Sequence, residues 1–114
     1  MCDMMEETVK EVSKYHKLAA KVNKDLELPT GDFTKEAVDC AARGCGDMGK
    51  PITCMSGHDS LMTILKVPTA MIFVRSKDGI SHSAKEWSEK GDCADGALAL
   101  GRAVLNYDEY LQKK

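Results

Sequence analysis

The sequence predicts an α/β domain, and three features of the chain favour that class. Amphipathic segments with helical spacing alternate with two short apolar runs, at residues 51–55 and 69–74. The second run, TAMIFV, is rich in β-branched and aromatic residues and carries no charge, which is typical of a strand buried on both faces of a sheet. A chain of 114 residues is long enough for one domain with a hydrophobic core.

The first predicted element is an amphipathic helix over residues 4–22. Met5, Val9 and Val12 recur at the spacing of one helical face, with lysine and glutamate between them. Residues 22–28, VNKDLEL, alternate well enough to predict a short half-buried strand. The PTGD sequence at residues 29–32 then interrupts regular structure, so we expect a domain boundary near residue 30.

The elements after residue 31 are predicted in the order helix, strand, helix, strand, helix. Asp32 or Thr34 caps a helix that ends in the glycines around residue 46, and the first apolar run follows. A turn at residues 56–59 opens a short helix through residue 66, which precedes the second apolar run. The last predicted helix covers residues 92–111, with Asp92 and Asp95 spaced as in a capping box.

Composition narrows the classes of partner. The 16 basic and 18 acidic residues are scattered and give a net charge of -2, which disfavours nucleic acid. The five cysteines form no Cys-x-x-Cys pair, which argues against a disulfide framework or a zinc ribbon and favours a reducing compartment. The chain shows no signal-peptide pattern and no apolar stretch of membrane-spanning length. We therefore expect a cytoplasmic protein with no membrane partner.

Two histidines flank the second apolar run. His82 ends the polar turn that begins at Asp78, directly after the predicted strand, which is where α/β enzymes place reactive side chains. His58 precedes the short helix that leads into the same strand. Either histidine is a candidate ligand or acid-base group, and the alternative for each is a loop histidine held by hydrogen bonds.

Three motifs together resemble a known enzyme family. They are MSGHDS at residues 55–60, VPTAMIFV at 67–74 and DGISH at 78–82, with Glu86 four residues further on. This pattern resembles the C-terminal part of the N-carbamoyl-amino-acid hydrolase, allantoate amidohydrolase and beta-ureidopropionase group, which are metallo-amidohydrolases with a co-catalytic metal pair. The resemblance extends more weakly from the first helix to residue 108.

The resemblance implies a fold and two domains. Residues 31–114 would form the C-terminal part of the catalytic domain, a partial three-layer α/β sandwich. Residues 1–30 would be a helix and a strand that remain from the lid and dimerisation domain.

The resemblance also implies roles for particular residues. His82 would be a metal ligand, and the carboxylate of Glu86 would hydrogen-bond to its imidazole and fix the tautomer. The alternative for Glu86 is a solvated surface charge. Residues Gly57, His58 and Asp59 would line the substrate cleft, and Ser81 would contact the substrate beside the metal ligand. The metal would be zinc or manganese, and the substrate a small molecule with a linear amide or ureido C–N bond.

Most of the family's machinery lies outside the region of resemblance. The chain has no His-x-Asp pair, and its one Glu-Glu pair, Glu6-Glu7, falls on the first helix. The resemblance therefore assigns no catalytic base here and implies a hydrolase fragment or subunit that is inactive alone and holds no metal by itself. Its partner would be the upstream half of a split enzyme or a second copy in a homodimer.

Two alternatives stay open. The first is a non-catalytic binding or dimerisation protein derived from the same family, which associates through the first helix or docks on a full-length relative. The second is a small zinc protein that uses His58, His82 and cysteines, although these spacings fit no closed zinc site.

Overall fold

The structure, a computed structural model, describes residues 2–25 and 30–114. Four α-helices lie within these ranges: α1 (Cys2–Tyr15), α2 (Lys35–Cys45), α3 (Ser60–Thr63) and α4 (Lys90–Gln112). Two single turns of 3₁₀ helix lie between these helices: Gly46–Met48 follows α2, and Lys77–Gly79 lies between α3 and α4. The described residues contain no β-strand, so the α/β class and the three-layer sandwich stay predictions.

Helix α1 is shorter at its C-terminus than the apolar spacing predicts. Lys17 has a φ of 55°, in the left-handed region, and its N–H donates to the carbonyl of Lys14 at 3.3 Å. The N–H of Leu18 donates to the carbonyl of Ser13 at 2.9 Å. This pair of hydrogen bonds is the Schellman arrangement that closes a helix. The spacing continues to residue 22, but the backbone turns at Lys17, and the predicted strand at residues 22–28 falls partly outside the described residues.

Helices α2 and α4 pack against each other and confirm the helices predicted in those two regions. The buried positions are small: Cys40, Ala41 and Gly44 on α2, and Ala99 on α4. Asn106 adds a polar contact by donating from Nδ2 to the carbonyl of Cys40 at 3.1 Å. Small side chains let the two backbones approach closely, so this helix pair is the packed centre of the described structure.

The second apolar run crosses this helix pair without forming a strand. Its first residue is fixed to the start of α2, because the N–H of Thr34 donates to the carbonyl of Thr69 at 3.2 Å and the N–H of Thr69 donates to the hydroxyl of Thr34 at 3.3 Å. Its last residue, Val74, lies against α4, where a Cβ on Gly96 would be 2.5 Å from Val74 Cγ2. The central strand at residues 69–74 therefore stays a prediction.

The chain exposes far more surface than a compact protein of its size. Its accessible surface is 9966 Å², whereas a compact monomer of 12.5 kDa exposes about 6,200 Å². Its radius of gyration is 20.1 Å, against about 13 Å for a compact domain of this length. An apolar groove of about 230 Å³ lies open between α2, α4 and the second apolar run. Much apolar surface is therefore exposed to solvent.

No helix in residues 2–25 and 30–114 is both long enough and apolar enough to cross a lipid bilayer.

Candidate functional site

The turn that presents His82 is closed by backbone hydrogen bonds at its base. The N–H of Lys77 donates to the carbonyl of Trp87 at 2.7 Å, which joins the two ends of the turn. Within it, Asp78 and Gly79 both have positive φ, 55° and 67°, and the N–H of Gly79 donates to the carbonyl of Ser76 at 3.1 Å. The Asp-Gly pair suits this geometry because aspartate tolerates the left-handed region and glycine adopts it freely.

His82 itself lies in the left-handed region, with a φ of 54°. Its backbone N–H donates to Oε2 of Glu86 at 2.8 Å. The chain between them is closed by a hydrogen bond from the N–H of Glu86 to the carbonyl of Ser83 at 3.0 Å. The side chains of Ser81, His82 and Glu86 are exposed. Glu86 therefore contacts the main chain of His82, whereas the resemblance places its carboxylate on the imidazole.

The turn that carries His58 opens helix α3. Nδ1 of His58 accepts a hydrogen bond from the N–H of Ser60 at 3.2 Å. The backbone carbonyl of His58 accepts a second hydrogen bond, from the N–H of Leu61, at 2.9 Å. Gly57, His58 and Asp59 are exposed, while Ser60 is buried. One nitrogen of the His58 imidazole therefore accepts a backbone hydrogen bond at the start of helix α3.

Contacts between α3 and the second apolar run connect the two histidine turns. The hydroxyl of Ser60 lies 3.8 Å from Sδ of Met71, and the hydroxyls of Thr63 and Thr69 are hydrogen-bonded at 3.1 Å. Residues 69–74 then continue directly into the turn of His82. The sequence analysis did not predict that Ser60, Thr63 and Thr69 connect α3 to the second apolar run. The one indication in the sequence was their position at the two ends of a short loop.

Replacing His58 with alanine should loosen the first turn of α3. The Ser60 N–H would lose its acceptor, and loss of a capping acceptor costs about 1 kcal/mol. Faster hydrogen exchange at the Ser60 and Leu61 amides, measured by NMR, would show this. His58→Asn restores a short side-chain acceptor and should recover most of the protection. Unchanged exchange in His58→Ala would mean that the imidazole is not the cap.

The described residues do not complete a metal centre. No group of three or more His, Cys, Asp or Glu side chains within residues 2–25 and 30–114 is arranged to hold a metal ion. His82 supplies one imidazole, and zinc sites in proteins need three or four protein ligands. Zinc or manganese therefore does not fit this part of the chain as a complete site.

The chain is similar in sequence to several curated amidohydrolases. The chain is 45% identical over 67 residues to an N-carbamoyl-L-amino acid amidohydrolase of Geobacillus stearothermophilus, which covers 56% of the chain and 16% of that protein. It is 40% identical over 58 residues to the allantoate amidohydrolase of Escherichia coli strain K12, covering 51% of the chain and 14% of that protein. The chain is related to this amidohydrolase group.

A third relative extends this similarity to most of the chain. The N-carbamoyl-L-amino-acid amidohydrolase of Pseudomonas sp. strain NS671 is 26% identical over 108 residues, which is 92% of the chain and 26% of that protein. The chain thus spans about a quarter or less of the length of these amidohydrolases. No protein-family model matches the chain. No solved structure matches it either.

Proposed function

We propose that this chain is a fragment or subunit of a metal-dependent hydrolase that acts on linear amide or ureido C–N bonds and that has no activity alone. The observation that carries the proposal is the 45% identity to an N-carbamoyl-L-amino acid amidohydrolase, combined with coverage of only 16% of that protein. The expected substrates are N-carbamoyl amino acids, allantoate or related compounds. A cytoplasmic location is part of the same proposal.

The residues of the two turns receive distinct roles. His82 would contribute one imidazole to a metal centre whose other ligands and general base come from a second polypeptide. Gly57, His58 and Asp59 would lie along the substrate, where Nε2 of His58 can donate to or accept from a polar group. Ser81 would contact the substrate beside His82. The closed base of the His82 turn supports these roles, because a site residue must be held in one orientation.

The second polypeptide should pair with the backbone of the second apolar run. Within the described part of the chain, the backbone N–H and carbonyl groups of residues 70–75 form no hydrogen bonds. Phe73 is 51% exposed, and Leu100 and Val104 leave the neighbouring groove open. Unpaired backbone next to apolar surface is suited to the addition of a β-strand, which supplies main-chain hydrogen bonds and covers alternate side chains.

Reconstitution tests the proposal. We would mix the chain with the Pseudomonas relative from which the matching 108-residue region is deleted, and supply zinc or manganese. We expect hydrolysis of an N-carbamoyl amino acid by the mixture and none by either polypeptide alone. Turnover by the isolated 114-residue chain would contradict the proposal, because one imidazole and no base cannot activate water at a metal centre. A stable complex with no turnover would contradict the hydrolase role.

A second candidate, a non-catalytic dimerisation protein, is favoured by one feature of α1. Met5, Val9 and Val12 lie on one face of this helix, and each is at least 38% exposed. Sedimentation at several concentrations would show a dimer that Val12→Glu disrupts if this face joins two copies. The hydrolase proposal places no site residue on α1, so under it Val12→Glu should leave the turnover of the reconstituted mixture unchanged.

A further inference from the structure

His82 adopts a backbone conformation that an ordinary side chain disfavours. At a φ of 54° the Cβ of an L-residue crowds the neighbouring carbonyl, so only glycine enters this region without cost, and asparagine and aspartate more readily than most others. Histidine is found in this region more often than most side chains, but it enters at a cost that glycine does not have, so contacts that hold the backbone there stabilise this conformation. The position of its Cα–Cβ bond, and hence of the imidazole, depends on which region the backbone occupies.

One side chain supplies the required contact. Oε2 of Glu86 lies 2.8 Å from the backbone nitrogen of His82 and accepts its N–H. A carboxylate accepting from a backbone N–H makes a charge-assisted hydrogen bond, which is stronger than one between neutral groups. The intervening loop is closed twice more, by Glu86 N–H to the carbonyl of Ser83 at 3.0 Å and by Lys85 N–H to the Ser83 hydroxyl at 3.2 Å.

We propose that Glu86 is a positioning residue that holds the backbone of His82 in the left-handed region and so fixes the direction in which the imidazole leaves the main chain. The importance of that direction rests on the role that the proposed function gives His82. The contact itself does not depend on that role, because it involves only the backbone amide of His82 and the carboxylate of Glu86.

The test is an NMR comparison of the full chain with three variants. In the unmodified chain we expect a scalar coupling across the hydrogen bond between the His82 amide nitrogen and the Glu86 carboxyl carbon. The His82 backbone couplings should report a positive φ. In Glu86→Ala both signals should be lost, with the His82 backbone moving to an extended conformation. Glu86→Gln keeps a side-chain oxygen as an acceptor and should retain the positive φ.

Glu89→Ala is the matched control. Glu89 precedes α4 and its side chain forms no capping hydrogen bond, so this variant removes the same charge three residues away. It should leave the His82 signals unchanged. Unchanged amide shifts in α2 and α4 would show that each variant keeps the helix pair.

Two results would overturn the inference. One is a positive φ at His82 that persists in Glu86→Ala, and the other is an equal loss of that conformation in Glu89→Ala. His82→Gly provides a further check, because glycine tolerates this region, and the double variant with Glu86→Ala should keep the positive φ. None of these measurements involves substrate or metal. Failed reconstitution would therefore leave the Glu86 result standing, and the reverse also holds.

Discussion

His82→Ala should abolish the hydrolysis that the chain restores to the truncated amidohydrolase, with turnover falling by more than about 100-fold. Loss of residues that only orient a metal ligand costs about 10-fold to 100-fold in affinity or activity, so loss of His82, which the proposal makes a ligand, should cost more. Assembly of the complex should be unaffected, because His82 is exposed and lies outside the α2–α4 contact. Steady-state kinetics and bound metal would check the loss of turnover, and the sedimentation of the same mixture would check its assembly.

The other two histidines give this experiment its controls. His16→Ala removes an exposed imidazole that follows α1 and contacts the ring of Tyr15, and it should leave turnover unchanged. His58→Ala should raise KM more than it lowers kcat, because the proposed role of His58 is contact with the substrate. Equal turnover in His82→Ala and in the unmodified complex would remove His82 from the site. Turnover that falls in proportion to complex formation would make its role structural.

Sequence patterns predicted the helices that carry their own stop signals. Helix α2 ends at Cys45, where the glycines in the sequence predicted its end. The next residue, Gly46, has a φ of 58°. The start of α4 is two residues earlier than the predicted Asp92, and Ala99 is its one buried residue within the described part of the chain. Helix α1 was predicted too long, because its stop is a lysine in the left-handed region and no glycine marks it.

Strands are harder to predict from sequence than helices, because the backbone hydrogen bonds of a strand are made to a neighbouring strand. The run TAMIFV has the composition of a buried strand, but its ladder would need partners that the described residues do not provide. A helix satisfies its backbone internally, so α2 and α4 form from local sequence. Under the proposed function, residues 69–74 would pair with a second polypeptide, and the central strand stays a prediction.

The sequence predicted part of the candidate site and not the rest. The motif DGISH predicted a turn, and in the structure residues 77–87 form a closed loop with positive φ at Asp78. The resemblance also implied that Glu86 contacts the imidazole of His82. Spacing cannot say which atom a flexible carboxylate reaches, and here it reaches the backbone amide. The roles assigned to Gly57, Asp59 and Ser81 remain predictions, since they depend on a substrate.

We expect the largest change in the free energy of unfolding from a substitution between α2 and α4, Gly44→Ala, which adds one methyl group. A Cβ on Gly44 would lie 2.5 Å from the carbonyl oxygen of Ala99 and 2.8 Å from the backbone nitrogen of Ala103. Both atoms belong to the main chain of α4, so no side-chain rotation relieves the overlap. The two helices would have to separate, which would open the contacts at Cys40 and Ala41.

Gly44→Ala should therefore lower the free energy of unfolding by about 1–3 kcal/mol, the usual cost of overpacking, although alanine is the better helix former. Gly101→Ala is the matched control, because it makes the same substitution inside α4 where a Cβ meets no atom within 4 Å. It should raise the free energy of unfolding by about 0.5–1 kcal/mol. Urea denaturation followed by circular dichroism measures both. Changes of the same sign in the two variants would show that helix propensity alone governs these positions, and that α2 and α4 do not pack through Gly44.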